Sequence, residues 1–143
     1  MGGAPAEDLD WLRHVVDHID LHASDYDTSV CFYATVLAPL GIPNWPEDSE
    51  SERATCFMRV NVVDRRPVTT GLHLCFVAQS REQVDAFHRA GVEAGFRSNG
   101  APGYREYGPG YYAAFLLDPD GNNVEALYRD VGNVGHAAQS EAS

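Results

Sequence analysis

The feature that most constrains the fold is that the pattern of the chain starts again about halfway along it. When the sequence is aligned with itself at an offset of 55 residues, His18 falls on His73 and Phe32 falls on Phe87. Each copy reads as a strand, a turn and a helix followed by further strands, which leaves one hydrophobic sheet face uncovered. Identical residues are few, but pairing the copies would bury both faces. The repeat therefore predicts two packed modules.

Hydrophobic periodicity places the elements within this repeat. We expect a short amphipathic helix over residues 7–17, and we interpret residues 55–63 as one strand. Residues 95–103, which are rich in glycine and proline, read as a loop. The other predicted elements are strands at 16–23, 70–78, 111–117 and 123–128, and helices at 28–40 and 80–94.

The length of the chain fits one domain, and its repeat divides that domain in two. We expect residues 1–143 to form a single domain that is built of module 14–68 and module 69–130. The residues from 131 to 143 are small and polar, so we interpret them as a flexible tail.

The charge of the chain excludes several classes of function. Acidic residues outnumber basic ones by 21 to 10, and the net charge of −11 would repel a phosphate backbone or an anionic lipid surface. We therefore expect a small-molecule substrate and neither a nucleic acid nor a membrane as partner. All the basic residues are arginines, which excludes Schiff-base chemistry, pyridoxal-phosphate anchoring and a Walker-type phosphate loop, since these need a lysine.

The cysteines indicate a reducing compartment. Cys31, Cys56 and Cys75 are odd in number and show no C-x-x-C pairing, so neither a disulfide scaffold nor a zinc knuckle is predicted. The N-terminal residues lack a basic segment followed by an apolar run, and no stretch is long enough to span a bilayer. We expect a cytoplasmic protein.

Three residues on predicted strands could together hold a metal ion. His18 and His73 occupy equivalent positions of the repeat, and Glu125 lies on the last strand. Two histidines and a carboxylate form a facial triad that leaves coordination positions open for a substrate. The alternative is that each histidine is an ordinary core or surface residue, which is the commoner fate of a single strand histidine.

Two segments resemble a known family. The segment VDHIDLHASDYDTSVCFY at residues 16–33 resembles the opening of the vicinal oxygen chelate proteins, the glyoxalase / bleomycin resistance / extradiol dioxygenase superfamily. The segment LDPDGNNVEAL at residues 117–127 resembles its closing motif, and the glycine-rich stretch near residue 100 resembles a bacterial glyoxalase-like branch. The resemblance spans about residues 16–130. It implies an α+β fold of two βαβββ modules that form an incomplete mixed β-barrel around a metal.

The resemblance also implies the residues of the site. The metal ligands of the family fall on His18, His73 and Glu125, and the metal is a divalent ion such as Fe, Mn, Zn or Ni. A true glyoxalase I uses a second glutamate, but the offset places Thr70 opposite Glu125, and the nearest acid is Asp64. Methylglyoxal isomerisation is therefore disfavoured.

A proton carrier beside the metal would come from the polar residues of the same face. We name His22 and Tyr107 as catalytic candidates and keep Tyr104 beside them. His22 shares a strand face with His18, while tyrosines are more often packing residues.

Two functions of different classes follow. The first is a metal-dependent enzyme with lyase, isomerase or dioxygenase chemistry on a small substrate that chelates the metal through neighbouring oxygens. The second is a metal-free binding protein of the kind that sequesters antibiotics. The complete set of two histidines and a glutamate favours the enzyme. In both cases we expect a homodimer, since related folds pair modules across subunits.

Overall fold

Two modules of the same topology follow each other along the chain. The computed structural model describes residues 15–47 and 49–131. In the first module a strand, a helix and three strands succeed one another, and the second module repeats this order. The elements are β1 (Ile19–His22), α1 (Tyr26–Leu37), β2 (Trp45–Pro46), β3 (Ala54–Phe57), β4 (Val60–Val63), β5 (His73–Val77), α2 (Arg81–Glu93), β6 (Arg97–Tyr104), β7 (Tyr111–Leu117) and β8 (Asn123–Arg129).

Each helix starts at a capping side chain that lies at an equivalent position of the repeat. Asp25 accepts a hydrogen bond from the backbone N–H of Thr28, and Ser80 accepts one from the backbone N–H of Gln83, both at 3.1 Å. These caps satisfy N–H groups that have no partner inside the helix. The two caps are separated by the 55 residues of the sequence offset, so the repeat extends to the helix starts.

Each module folds its strands into a four-stranded mixed sheet. The strand orders are β1-β4-β3-β2 and β5-β8-β7-β6. β1 runs parallel to β4 in the first sheet, and β5 runs parallel to β8 in the second. The sheets do not close into a barrel. The prediction of an α+β fold built from two βαβββ modules is confirmed.

One face of each sheet packs on the helices, while the other is open. In β1, Leu21 is fully buried against the core while Asp20 is exposed, and in β5 the exposed residues alternate with Leu74 and Phe76, which pack on the core. We call the side that carries Asp20, His22 and their neighbours the first open face. The second open face carries His73, Cys75 and Glu125.

A single core joins the two modules. Phe32, Tyr33 and Val36 of α1 pack with Val84 and Phe87 of α2, and buried residues of both sheets complete this cluster. Helix α2 also lies close to β7, and this approach is possible because Gly91 has no side chain. A Cβ atom at this position would lie 2.5 Å from the side chain of Leu116. The helices therefore lie between the sheets, and the open faces point away from the core.

Two expectations about the strands are wrong. Residues 55–63 do not form one strand, because Met58 adopts a positive φ of 57° and turns the chain between β3 and β4. The stretch at 95–103, expected to be a loop, belongs largely to β6, whose register with β7 shifts around Gly100 and Gly103. Strand pairing outweighs local glycine and proline content there.

The predicted N-terminal helix lies mostly outside the described residues, as does the predicted tail beyond Val131. The part of the former that is described, residues 15–17, is not helical. Within the described part of the chain, no helix combines the length and the apolar character that crossing a bilayer requires.

Candidate functional site

A histidine and a buried glutamate meet on the second open face. Strands β5 and β8 are parallel neighbours, and their register sets Glu125 beside Cys75, two residues after His73. The Nε2 atom of His73 lies 2.8 Å from Oε1 of Glu125. Glu125 is only 1% exposed, whereas 53% of the His73 side chain is accessible. A buried carboxylate is costly unless it is paired, and here it is paired with a group that reaches the surface.

The second oxygen of this carboxylate is held by Tyr111. The Tyr111 hydroxyl donates a hydrogen bond to Oε2 of Glu125. Burial and the neighbouring Glu125 raise the pKa of Tyr111, so the phenol keeps its proton and acts as a donor. From the sequence alone Tyr111 reads as a packing residue, which is the commoner fate of a tyrosine. The signal that could have identified it is strand alternation, which places Tyr111 of β7 on the same sheet face as Glu125 of β8.

Cys75 adds a thiol to the same face. Burial, followed by the effect of Glu125, raises the pKa of Cys75 to about 12. The thiol is therefore protonated at neutral pH. Only the deprotonated thiolate would react as a nucleophile or bind a metal ion.

His18 lies apart from this pair. It is exposed just before β1, and its Nδ1 atom lies 2.8 Å from Oδ1 of Asp17. This hydrogen bond to Asp17 raises the pKa of His18. Across residues 15–47 and 49–131, no three histidine, cysteine or acidic side chains are placed to hold a metal ion. The described part of one chain thus brings together two of the three predicted ligands, and the role of all three stays a prediction.

His22 is fixed by its neighbours on the first open face. Its Nδ1 atom lies 2.8 Å from the carbonyl oxygen of Pro67, and because a carbonyl only accepts, Nδ1 carries the hydrogen. In the neutral ring Nε2 then accepts from Nη1 of Arg65, 3.3 Å away. Arg65 is itself held by both carboxylate oxygens of Glu52, at 2.5 and 2.8 Å. The nitrogen that would take up a proton is therefore covered by a guanidinium group.

The two tyrosines named as proton carriers occupy different places. Tyr107 is exposed and packs edge-on against the ring of Tyr111, with the ring centres 5.2 Å apart. Tyr104 donates a hydrogen bond to Asp130 at 2.8 Å. Tyr107 thus borders the Glu125 site through Tyr111, and its catalytic role stays a prediction.

The position equivalent to Glu125 in the first module is occupied by Asn61. Glu125 pairs with the residue two places after His73, and Asn61 pairs with Asp20, which is two places after His18. The expectation that Thr70 occupies this position is wrong, because the connections between strands differ in length and the offset of 55 residues does not hold to the last strand. The Asn61 side chain donates to Asp20 at 2.9 Å, so an amide stands where a four-ligand site would need a carboxylate.

Apolar residues and two guanidinium groups surround the His73–Glu125 pair. Ala113, Phe115 and Leu127 form a small buried cluster on the second open face, with Tyr111 packed against it. The guanidinium of Arg129 lies 5.3 Å from the centre of the Tyr111 ring, and that of Arg105 lies 5.4 Å from the centre of the Phe115 ring. The buried carboxylate is thus bordered by apolar side chains and by two guanidinium groups.

The donor atoms fit a divalent metal ion in part. Imidazole nitrogen and carboxylate oxygen suit Fe, Mn, Zn and Ni, and His73 and Glu125 supply one of each on an accessible face. A third donor must come from outside this pair.

Comparisons with known proteins agree with this architecture. The model of the Glyoxalase/Bleomycin resistance protein/Dioxygenase superfamily matches residues 42–126. A glyoxalase/bleomycin resistance protein from Albidiferax ferrireducens T118 is 34% identical, with a TM-score of 0.64, over 79% of this chain and 97% of that protein. The oxidase ChaP-H2 is 26% identical, with a TM-score of 0.58, over 82% of this chain and 94% of that protein.

A lactoylglutathione lyase from Agrobacterium tumefaciens shares the fold at 20% identity, with a TM-score of 0.59, over 81% of this chain and 94% of that protein. The comparison with curated proteins gives no significant match.

Proposed function

Because the chain belongs to the glyoxalase/bleomycin resistance protein/dioxygenase superfamily, we propose that it is a divalent-metal-dependent enzyme. Its substrate is a small molecule that chelates the metal through two neighbouring oxygens. The observation that carries this proposal is the contact between His73 and the buried carboxylate of Glu125 on an accessible sheet face. A buried carboxylate facing an accessible imidazole is an arrangement that metal sites use and hydrophobic cores avoid.

The third ligand in this proposal is His18 of a second copy of the chain. His18 lies on an exposed strand end and contacts only its neighbour Asp17 among the hydrogen bonds of the described residues. A homodimer that faces the first open face of one copy with the second open face of the other would join His18 to His73 and Glu125. Such pairing is self-complementary, so two equivalent sites form in each dimer.

The chain's own residues prepare the site in defined ways. Tyr111 occupies Oε2 of Glu125 and leaves Oε1 facing His73, so one carboxylate oxygen is directed to the ligand position. The cluster around Phe115 and Leu127 excludes water on one side. The bound metal would act as a Lewis acid on the chelating oxygens. His22 and Tyr107 are the proposed proton carriers, and His22 would serve only after Arg65 has moved from its Nε2 atom.

The number of protein ligands limits the reactions that this proposed site could support. Three protein ligands leave positions open for lyase, isomerase or dioxygenase chemistry. The amide of Asn61 stands where a fourth carboxylate would be needed, which argues against methylglyoxal isomerisation of the glyoxalase I type.

Elemental mass spectrometry on protein purified without chelator or a histidine tag tests the metal. We expect close to one equivalent of Fe, Mn, Zn or Ni per chain, and its loss in His73→Ala. His88→Ala is the matched control, because His88 lies on α2 and contacts Ser98 instead of the site. A protein that neither contains nor takes up a divalent ion would contradict the proposal.

Mixing two variants tests where the third ligand comes from. His18→Ala and His73→Ala should each lose the metal, but a refolded mixture should recover about a quarter of the wild-type sites. Half of randomly mixed dimers are heterodimers, and each heterodimer keeps one of its two shared sites intact. No recovery, with heterodimers demonstrated by mass spectrometry, would place all ligands in one chain.

The second candidate function is metal-free binding of a small apolar ligand. It is favoured by the aromatic ring of Tyr107, which is 72% exposed and packs on Tyr111 at the second open face. In that case ligand binding would be independent of divalent ions, and His73→Ala would leave it within about twofold.

A further inference from the structure

The second open face carries an arginine that has no anionic partner. Across the described residues, the side chain of Arg129 takes part in neither an ion pair nor a hydrogen bond, and its guanidinium lies over the ring of Tyr111. A guanidinium group has five N–H donors in a fixed planar array, and none of those of Arg129 is used. This is notable in a chain where acidic residues outnumber basic ones by 21 to 10.

Other arginines of the described chain show that partners are within reach elsewhere. Arg53, Arg59, Arg65 and Arg66 of the first module each lie within 4 Å of a carboxylate. Arg105, on the second open face, donates to the carbonyl oxygen of Ala101 at 2.6 Å. Arg129 is therefore a guanidinium group beside Tyr111 whose side-chain donors have no partner among the described residues.

The position of Arg129 relates it directly to the candidate site. It pairs in register with Tyr111, and its side chain shares the face of Leu127 and Glu125 because all three alternate along β8. The hydroxyl at the far end of the Tyr111 ring binds Glu125, so one aromatic ring separates the guanidinium from the carboxylate. Leu127 and Ala113 lie between them as an apolar floor.

We propose that Arg129 binds the carboxylate of an aromatic acid whose ring lies against the exposed ring of Tyr107, which packs on Tyr111 at the second open face. This inference rests on the proposed function in one respect, which is that the two chelating oxygens of the same ligand would face Glu125 and His73. Arg129 is then a specificity-determining residue, and the substrate class is a small aromatic carboxylate with two neighbouring oxygens. A bidentate pair between guanidinium and carboxylate supplies both affinity and orientation.

Binding of matched probes to the full-length protein, measured by NMR titration, tests this inference. Benzoate and benzyl alcohol have nearly the same shape but differ in charge, and neither has the two neighbouring oxygens of a chelator. We expect benzoate to bind at least about tenfold more tightly than benzyl alcohol, since a charge-assisted hydrogen bond is gained. Arg129→Gln should abolish this preference.

Two further variants separate recognition from bulk charge and from packing. Arg89→Gln removes the same charge from an exposed site on α2 and should leave the preference unchanged. Arg129→Lys keeps the charge without the planar fork and should retain part of it. A purely structural role of Arg129 beneath Tyr111 would weaken both probes equally and leave their ratio at the wild-type value.

Catechol, which has two neighbouring oxygens and no charge, reports on the proposed function alone. Its binding to protein loaded with Mn²⁺ tests chelation, whatever benzoate does. Equal affinities for benzoate and benzyl alcohol, or a preference that survives Arg129→Gln, would overturn the inference while leaving metal chelation intact. A benzoate preference lost in Arg129→Gln without catechol binding would support Arg129 and contradict the metal-dependent function.

Discussion

On the first open face Asp20 and His22 alternate along β1, and on the second the equivalent positions of β5 hold Cys75 and Val77. The neighbouring strands differ in the same sense, with Asn61 in β4 where β8 carries Glu125. The β1–β4 and β5–β8 pairs have the same register, so the difference at these positions lies in the side chains. One repeat thus supplies a polar surface, and the other supplies a buried carboxylate in apolar surroundings.

The charges of the two faces are balanced differently as well. On the first face, Arg65 is enclosed by Glu52, Asp20 and His22. On the second, Arg129 lies over an aromatic ring, and Glu125 is bound by a neutral phenol and an imidazole. The first face pairs Arg65 with carboxylates, whereas Arg129 on the second face has no charged partner among the described residues.

The largest effect is expected when the carboxylate of Glu125 is replaced by a neutral amide, the group that its counterpart Asn61 carries. Glu125→Gln should weaken metal binding by at least about 1,000-fold, because the anionic ligand is lost while Tyr111 can still donate to the amide oxygen. Metal titration followed by mass spectrometry measures this. Asn61→Ala should leave the affinity unchanged, and a loss as large as that of Glu125→Gln would show that the two faces do not differ in this way.

The next effect concerns a connection that differs between the modules. Two residues, Met58 and Arg59, join β3 to β4, but residues 105–110 join β6 to β7 and carry Tyr107 over the second face. Gly110 ends this loop at a φ of +65°, where a Cβ atom would lie 2.4 Å from the carbonyl oxygen of Asp130. Gly110→Ala should lower the free energy of unfolding by about 3 kcal/mol or more, as followed by urea denaturation.

Gly121→Ala is the matched control for this loop. Gly121 also has a positive φ, of +82°, but nothing lies within 4 Å of the added Cβ. It should cost about 1–2 kcal/mol, which is the backbone strain alone. Equal costs for the two variants would mean that the contact with Asp130 relaxes freely.

A smaller effect is expected at the helix position where the modules carry Tyr33 and His88. Tyr33 is fully buried and donates a hydrogen bond at 2.7 Å to Asp118 of the second module. Tyr33→Phe should cost about 1–2 kcal/mol, since Asp118 stays bound to Asn122 and loses one donor. Tyr112→Phe, which removes a half-buried bond to Asp85 within the second module, should cost less in the same denaturation assay.

The smallest effect is a pH dependence at His88. Partial burial lowers the pKa of His88 below its ordinary value, so the unfolded chain binds a proton at higher pH than the folded one. The stability contribution is therefore present above the ordinary histidine pKa and is lost as the pH falls towards the folded value. His88→Gln, which can still bond Ser98, should reduce the difference in melting temperature between pH 7.5 and 5.5, about the span of a histidine titration. An unchanged difference would assign this acid sensitivity to other groups.

Much of the fold was readable from the sequence because its signals are local. Asp25 and Ser80 cap helices that periodicity had located, and the strand predicted at 111–117 is β7 with the same bounds. The signals failed where a partner strand decides the conformation. Gly100 and Pro102 suggest a loop, but β7 pairs with this segment and holds it extended. Met58 shows no turn signature, yet it occupies a turn.

The candidate site divides in the same way. Strand parity and the repeat pointed to His73 and Glu125, which the fold brings to 2.8 Å, although their role as ligands stays a prediction. The sequence did not identify Tyr111 or Asn61. The contact of Tyr111 with Glu125 crosses from one strand to another, and the pairing of Asn61 depends on loops of unequal length, so neither follows from spacing along the chain. His22 was grouped with His18 by parity, but its ring nitrogens are engaged by Pro67 and Arg65, which parity does not report.

The sequence by itself determined that the chain repeats one module and which residues alternate on each strand, since both follow from spacing along the backbone. Only the tertiary structure decided that the two helices pack between the sheets and turn both open faces away from the core. That packing keeps His18 apart from His73 and Glu125 in the described part of a single chain. The physical reason is that spacing fixes a side chain's direction within its own strand, whereas the burial of α1 against α2 fixes how the strands of the two modules face each other.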